Sequence, residues 1–131
     1  RSFKQEVQDV AEASMRKIAN GIGAAFGIEV EITYRRGYPA TINDVAESDY
    51  AATIAADVVG AENVMTGLPP KMGAEDFSFM LNERPGCYIW IGNGPGEGGC
   101  YLHNPGYDFN DEALPIGASY WARLVETRLA K

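Results

Sequence analysis

One histidine, two cysteines and eleven basic residues set against eighteen acidic ones are the scarcities of this 131-residue chain. The shortage of Lys and Arg, with a formal charge of −7, excludes a nucleic-acid backbone as partner. Neutralising phosphates takes clustered cations, and the chain offers only pairs such as Arg35-Arg36. No apolar stretch approaches the roughly 18–20 residues that span a bilayer, and the N-terminal segment lacks the apolar core of a signal peptide. A soluble, cytoplasmic protein with no membrane partner is the expectation. Cys87 and Cys100 follow no Cys-x-x-Cys spacing, so two thiols are expected rather than a disulfide. An initiating Met is also missing. The chain opens RSFKQEV, which predicts a processed product or a piece of something longer.

What is present suffices for a globular domain, since 46% of the residues are hydrophobic. Ser2-Phe3-Lys4-Gln5 has the form of a capping box, in which Ser2 caps the helix amides and Gln5 reaches back. The helix it predicts carries Phe3, Val7, Ala11, Met15, Ile18 and Ile22 on one face and ends near Gly21 or Gly23. Ile28, Val30, Ile32 and Tyr34 then alternate with Glu29, Glu31, Thr33 and Arg35, the pattern of a strand with one wet face. The polar stretch 41–48 reads as a connector and a domain boundary. It leads into a second helix over about residues 49–59 that Gly60 stops. A short strand at 63–65 and a short helix at 74–81 follow, the latter with Glu75 and Asp76 at its start. Residues 87–91, CYIWI, are apolar at almost every position, as in a strand covered on both faces. The last helix should begin at Asn110 or Asp111, with Pro115 tolerated in its first turn.

Residues 71–111 concentrate the chemistry-bearing side chains, and each has a plain structural reading beside the functional one. The loop GNGPGEGG lacks the following Lys-Ser/Thr of a phosphate cradle and does not fit a dinucleotide fingerprint, so it reads as a turn. Glu75 and Asp76 are explained by helix capping and the helix dipole unless they face a site. His103 is the only side chain whose neutral imidazole suits a transition metal, yet a histidine with no companion is usually structural. Arg35 and Arg36 read as solvated charges, or as a clamp for a substrate carboxylate. Cys87 reads as a small buried hydrophobe.

Taken together, MGAEDFSFML, a short apolar strand, a glycine loop and LHNPGYDFNDEALPIGASYWARLV resemble the C-terminal end of the zinc-type aminoacylase and hippurate hydrolase family, the amidohydrolases similar to carboxypeptidase G. The preceding helix, strand and RRGYPATIND resemble the second half of that family's inserted lid, or dimerisation, domain. The resemblance implies an α/β fold built from two portions. Residues 1–44 would be half of a ferredoxin-like lid. Residues 45–131 would belong to a zinc-exopeptidase-like mixed sheet flanked by helices. It implies that His103 is a metal ligand, that Glu75 and Asp76 stand beside the metal centre as orienting or substrate-binding groups, and that Arg36 faces substrate. It also implies two divalent ions, zinc or manganese, and an N-acyl amino acid as the small-molecule substrate.

The family's Cys-x-His motif and Glu-Glu pair, which carry its other ligands and its general base, do not occur in these 131 residues. No catalytic residue is therefore assigned here. The chain is expected to be the C-terminal portion of a metal-dependent amidohydrolase that is inactive by itself. Exposed strand edges would favour a homo-oligomer. The competing expectation is a non-catalytic dimerisation or binding module that kept the scaffold.

Overall fold

The computed structural model describes residues 2–96 and 99–130, so Glu97 and Gly98 of the glycine-rich loop lie outside the described residues. Four α-helices are present: α1 (Gln5–Phe26), α2 (Val45–Val59), α3 (Phe77–Glu83) and α4 (Ala113–Arg128). A 3-10 turn, Ala61–Asn63, follows α2. The described residues divide into two compact units, one from residues 2–42 with 69–84, the other from residues 43–68 with 85–96 and 99–130.

No β-strand occurs among the described residues, so the α/β sheet expected from the pattern is not seen and the architecture is helical. The expected strands at 28–34, 63–65 and 87–91 are unpaired segments. Hydrophobic alternation selects which face of a segment turns from water, but a strand also needs a neighbour for its amides and carbonyls. The alternation is realised only from residue 30 on, Ile28 being exposed. Val30, Ile32 and Tyr34 are half-buried while Glu29, Glu31, Thr33 and Arg35 are exposed.

In the first unit, α1 begins at Gln5 with Lys4 as its cap, and no side chain satisfies the first amides. The expected capping box does not form, because the Ser2 hydroxyl donates to the Lys4 carbonyl instead. The helix also runs past Gly21 and Gly23 to Phe26, ending on Gly27 at φ 66° in the left-handed region. Gly23 serves close approach rather than termination. A Cβ there would lie 2.8 Å from the Ile28 carbonyl oxygen and 3.0 Å from Val30 Cγ2, where the chain turns back onto the helix. Arg16 donates to the Ile32 carbonyl and holds the returning segment. Tyr38 meets Phe79 of α3 edge to face, centroids 5.7 Å apart.

In the second unit α2 packs on α4, and the buried apolar side chains are here: Ala51, Ile54, Ala113 and Tyr120. Helix α2 starts four residues before the expected position. The Asp44 carboxylate accepts from the Glu47 amide and the Ser48 hydroxyl donates to the Asp44 carbonyl, so the polar run taken for a connector contains the cap. Tyr50 donates from its hydroxyl to the Leu124 carbonyl, tying the two helices. Helix α4 starts at Ala113, after a turn in which the Asn110 carbonyl accepts from the Ala113 amide, and Pro115 falls in its first turn as expected.

Residues 87–91 are not the doubly covered strand that their composition suggests. Trp90 is 67% exposed, Ile89 and Ile91 are exposed, and Cys87 is only half-buried. Neither cysteine forms a disulfide. No helix among the described residues is long and apolar enough to cross a membrane.

Candidate functional site

His103 follows the glycine-rich loop and precedes Asn104-Pro105-Gly106. It is exposed, and with φ 68° it is the one non-glycine residue in the left-handed region among the described residues. Such a conformation costs a β-carbon-bearing residue about 1–2 kcal/mol. It persists here because the next residues lock a turn. The Asn104 side-chain oxygen accepts from the Gly106 amide at 2.9 Å, and the Asn104 carbonyl accepts from the Tyr107 amide at 2.9 Å.

Beyond that turn the chain is pinned by Asn93. Its amide nitrogen donates to the Asp108 carbonyl at 2.7 Å, and its side-chain oxygen accepts from the Asn110 amide at 2.8 Å. Asn110 answers by donating from its own side chain to the Asn93 carbonyl at 3.2 Å. The Asn110 side-chain oxygen also accepts from the Glu112 amide at the entry to α4. Asn43 has a similar role further upstream, its side chain bonding both the amide and the carbonyl of Tyr88 at 2.9 Å. An open depression of about 280 Å³ lies beside Asn93, with Ile91, Tyr107, Phe109, Leu114 and Gly117 among its walls. Sequence reading passed over Asn43 and Asn93, and took Asn110 only as a start for the last helix. Their only signal was their place at the ends of turn-rich stretches, where a short amide side chain competes for backbone groups.

Glu75 and Asp76 precede α3 in the first unit, and the capping role that would explain them is not filled by their side chains. The Glu75 carbonyl, not its carboxylate, accepts from the Ser78 amide and from the Ser78 hydroxyl, the latter at 2.6 Å. Ser78 is fully buried beneath this turn. Asp76 is the residue before the helix but makes no side-chain cap bond.

Arg36, also in the first unit, is engaged by α1. Its guanidinium lies 2.6 Å from Asp9 and 2.9 Å from Glu12, while Arg16 pairs with Glu12 at 2.8 Å. The hydrogen bonds from Arg36 and then Arg16 hold the Glu12 carboxyl below its usual range, and Glu12 with Asp9 raises the Arg36 guanidinium in turn. Arg35 is exposed. Thus Glu75, Asp76 and Arg36 belong to one unit and His103 to the other. Among the described residues no three His, Cys, Asp or Glu side chains are grouped to hold a metal ion.

The chain has relatives among known proteins. The description Peptidase family M20/M25/M40 matches residues 4–127, and the chain belongs to that family. Among its relatives, a hippurate hydrolase of Campylobacter jejuni is 34% identical over 125 residues, covering 95% of this chain and 32% of that protein. A putative amidohydrolase of Bacillus subtilis, YhaA, is 32% identical over 129 residues, covering 97% of this chain and 32% of its own length. An N-acetylcysteine deacetylase of the same organism is 32% identical over 126 residues, covering 95% and 31% respectively. The chain therefore spans about a third of the length of these relatives. No solved structure matches it.

Proposed function

We propose that this chain is the C-terminal portion of a metal-dependent amidohydrolase that cleaves the amide bond of N-acyl amino acids. The observation that carries the reading is the family match along residues 4–127, joined by relatives named for hydrolysis of hippurate and of N-acetylated amino acids. In this reading residues 1–44 contribute to a lid and residues 45–131 to a catalytic domain. Segments 28–34 and 87–91 become sheet strands when paired by the rest of the longer protein. Exposed apolar residues such as Trp90, Ile91, Leu114 and Trp121 are consistent with such cover.

Two divalent ions, zinc or manganese, would polarise the substrate carbonyl and supply an activated water. The residues of this chain do not by themselves fit that group, since the described residues hold no cluster of three ligating side chains. His103 is the one ligand assigned here. Its exposed ring and locked turn support that role, with the remaining ligands elsewhere in the longer protein. Glu75 and Asp76 serve as orienting carboxylates, supported by side chains that no cap consumes. Arg36 is the weakest of the assigned site residues, because two carboxylates of α1 already engage it. Homo-oligomerisation belongs to the same reading, supported by the exposed apolar face of α1 at Ile18, Ile22 and Phe26.

The test is release of free amino acid from hippurate and from N-acetyl amino acids by the full-length protein. Activity is expected there and none from the isolated 131-residue chain. His103→Ala in the full-length protein should lower activity by more than about 100-fold, the upper end of what changes outside the ligand set cost. It should also reduce the bound zinc or manganese. A full-length protein that releases no amino acid from any such substrate would end the proposal.

A further inference from the structure

We infer that Asn93 is a positioning residue for His103, acting through the short turn between them and with Asn110 as its partner. The inference rests on the reading of His103 as a site residue. What needs explaining is how a strained, exposed histidine is kept in one place. His103 sits in the left-handed region, and the turn after it closes on Asn104. A self-closed turn fixes its own shape but not its orientation on the protein. That orientation is set at residues 108–110, where Asn93 makes its two side-chain bonds, to the Asp108 carbonyl and from the Asn110 amide. The third bond, from Asn110 to the Asn93 carbonyl, makes the clasp reciprocal.

Both sides of the clasp are anchored. Asn110 is bonded into the start of α4 through the Glu112 and Ala113 amides. Asn93 lies five residues beyond Tyr88, whose backbone is bonded on both sides by Asn43 next to the cap of α2. The clasp thus connects the histidine turn to the two packed helices that hold the unit's buried apolar side chains. Gly94 fits the same arrangement. At φ 79° it turns the chain away directly after Asn93, and a Cβ on it would come within 3.4 Å of the Asn110 side-chain nitrogen.

An amide is the side chain this position calls for. It must donate to a carbonyl and accept from an amide at once, which neither Asp, Ser nor Ala can do in the same geometry. Losing it should leave the histidine present but turned. Misplacement of a reacting group by an ångström reduces turnover more than binding.

The experiment compares four variants in the full-length protein: Asn93→Ala, Asn93→Asp, His103→Ala and, as a control, Asn63→Ala. Asn63 bonds the Val59 carbonyl at the end of α2 and has no role in the site. Steady-state kinetics on an N-acyl amino acid are read with the melting temperature. Asn93→Ala is expected to lower kcat by about 10- to 100-fold with KM changed less than about twofold. Asn93→Asp keeps the bond from the Asn110 amide and loses the one to the Asp108 carbonyl, so it should fall between wild type and Asn93→Ala. Asn63→Ala should keep wild-type kcat. An Asn93→Ala protein whose kcat matches the Asn63→Ala control while His103→Ala is inactive overturns the positioning role alone. A fully active His103→Ala overturns the site reading and this inference together. If Asn93→Ala does not fold, Asn93→Asp decides, and wild-type kcat in it refutes the inference.

Discussion

The two units hold their irregular segments in different ways. In the first, the segment that returns along α1 is held by charge: Arg36 between Asp9 and Glu12, and Arg16 bonded to both Glu12 and the Ile32 carbonyl. In the second, Asn43 and Asn93 supply side-chain amides that bond backbone groups directly, next to two helices packed through Ile54 and Tyr120. Exposed charge pairs tolerate sliding and are screened by salt, whereas an amide bonding both an N–H and a C=O fixes register. The histidine that the resemblance singles out lies in the unit held by amides. A site group needs a fixed bearing more than it needs strength, which is what that kind of tie provides.

One residue type at two places separates the units most directly. Ile54 is 1% exposed between α2 and α4, and Ile18 is 61% exposed on α1. Ile54→Ala should destabilise the purified protein by about 2–5 kcal/mol, while Ile18→Ala should stay within about 0.5 kcal/mol, read by denaturant unfolding. A comparable loss for Ile18→Ala in the full-length protein would mean that the α1 face is covered there. A smaller effect tests the local order of the second unit. Asp44→Ala removes the acceptor for the Glu47 amide and should cost about 1 kcal/mol, with fraying of the first turn of α2 seen by amide exchange. Unchanged protection at Glu47 would show that Asp44 is no cap.

These elements also show what was legible in the sequence. Helices α1, α2 and α4 were readable from their apolar spacing, although the apolar stripe of α1 is exposed here, and the short helix expected at 74–81 was placed from its start signals and begins three residues later. The alternation at 28–34 was readable too, and Val30, Ile32 and Tyr34 lie half-buried as it implies, while Ile28 is exposed. The sheet was not, since nothing in the order of residues 28–34 states what lies beside them. Signals that depend on a partner were misread in consistent ways. Gly23 looked like a stop and is a contact with Ile28 and Val30; the polar run before residue 49 looked like a linker and contains a cap. His103, Glu75 and Asp76 stood out through a motif, which local chemistry alone would have left as ordinary turn residues. Asn93 stood out through nothing, because its bonds span 15 and 17 residues and no short pattern encodes them.

The smallest effect expected is in the first unit, and its sign follows from the charges. Glu12 is held below its usual range by Arg36 and Arg16, so the folded protein keeps the carboxylate ionised to lower pH than the unfolded chain does. A group with a depressed folded pKa contributes stability that is present above the unfolded value, about 4.3 for glutamate, and is lost as pH falls through the folded value. Stability should therefore decline with acid in this window more steeply in wild type than in Glu12→Gln. Added salt should narrow the gap at neutral pH, because Arg36 and Arg16 are both substantially exposed and their attraction is screened. The Arg36 side of the pair adds nothing to this profile, since its raised pKa moves its titration further above neutrality. The measurement is the unfolding midpoint of both proteins between about pH 5 and pH 3, at low and at high salt. Parallel acid profiles would remove Glu12 as a tie of the returning segment and leave its position to Arg16 and the Ile32 carbonyl.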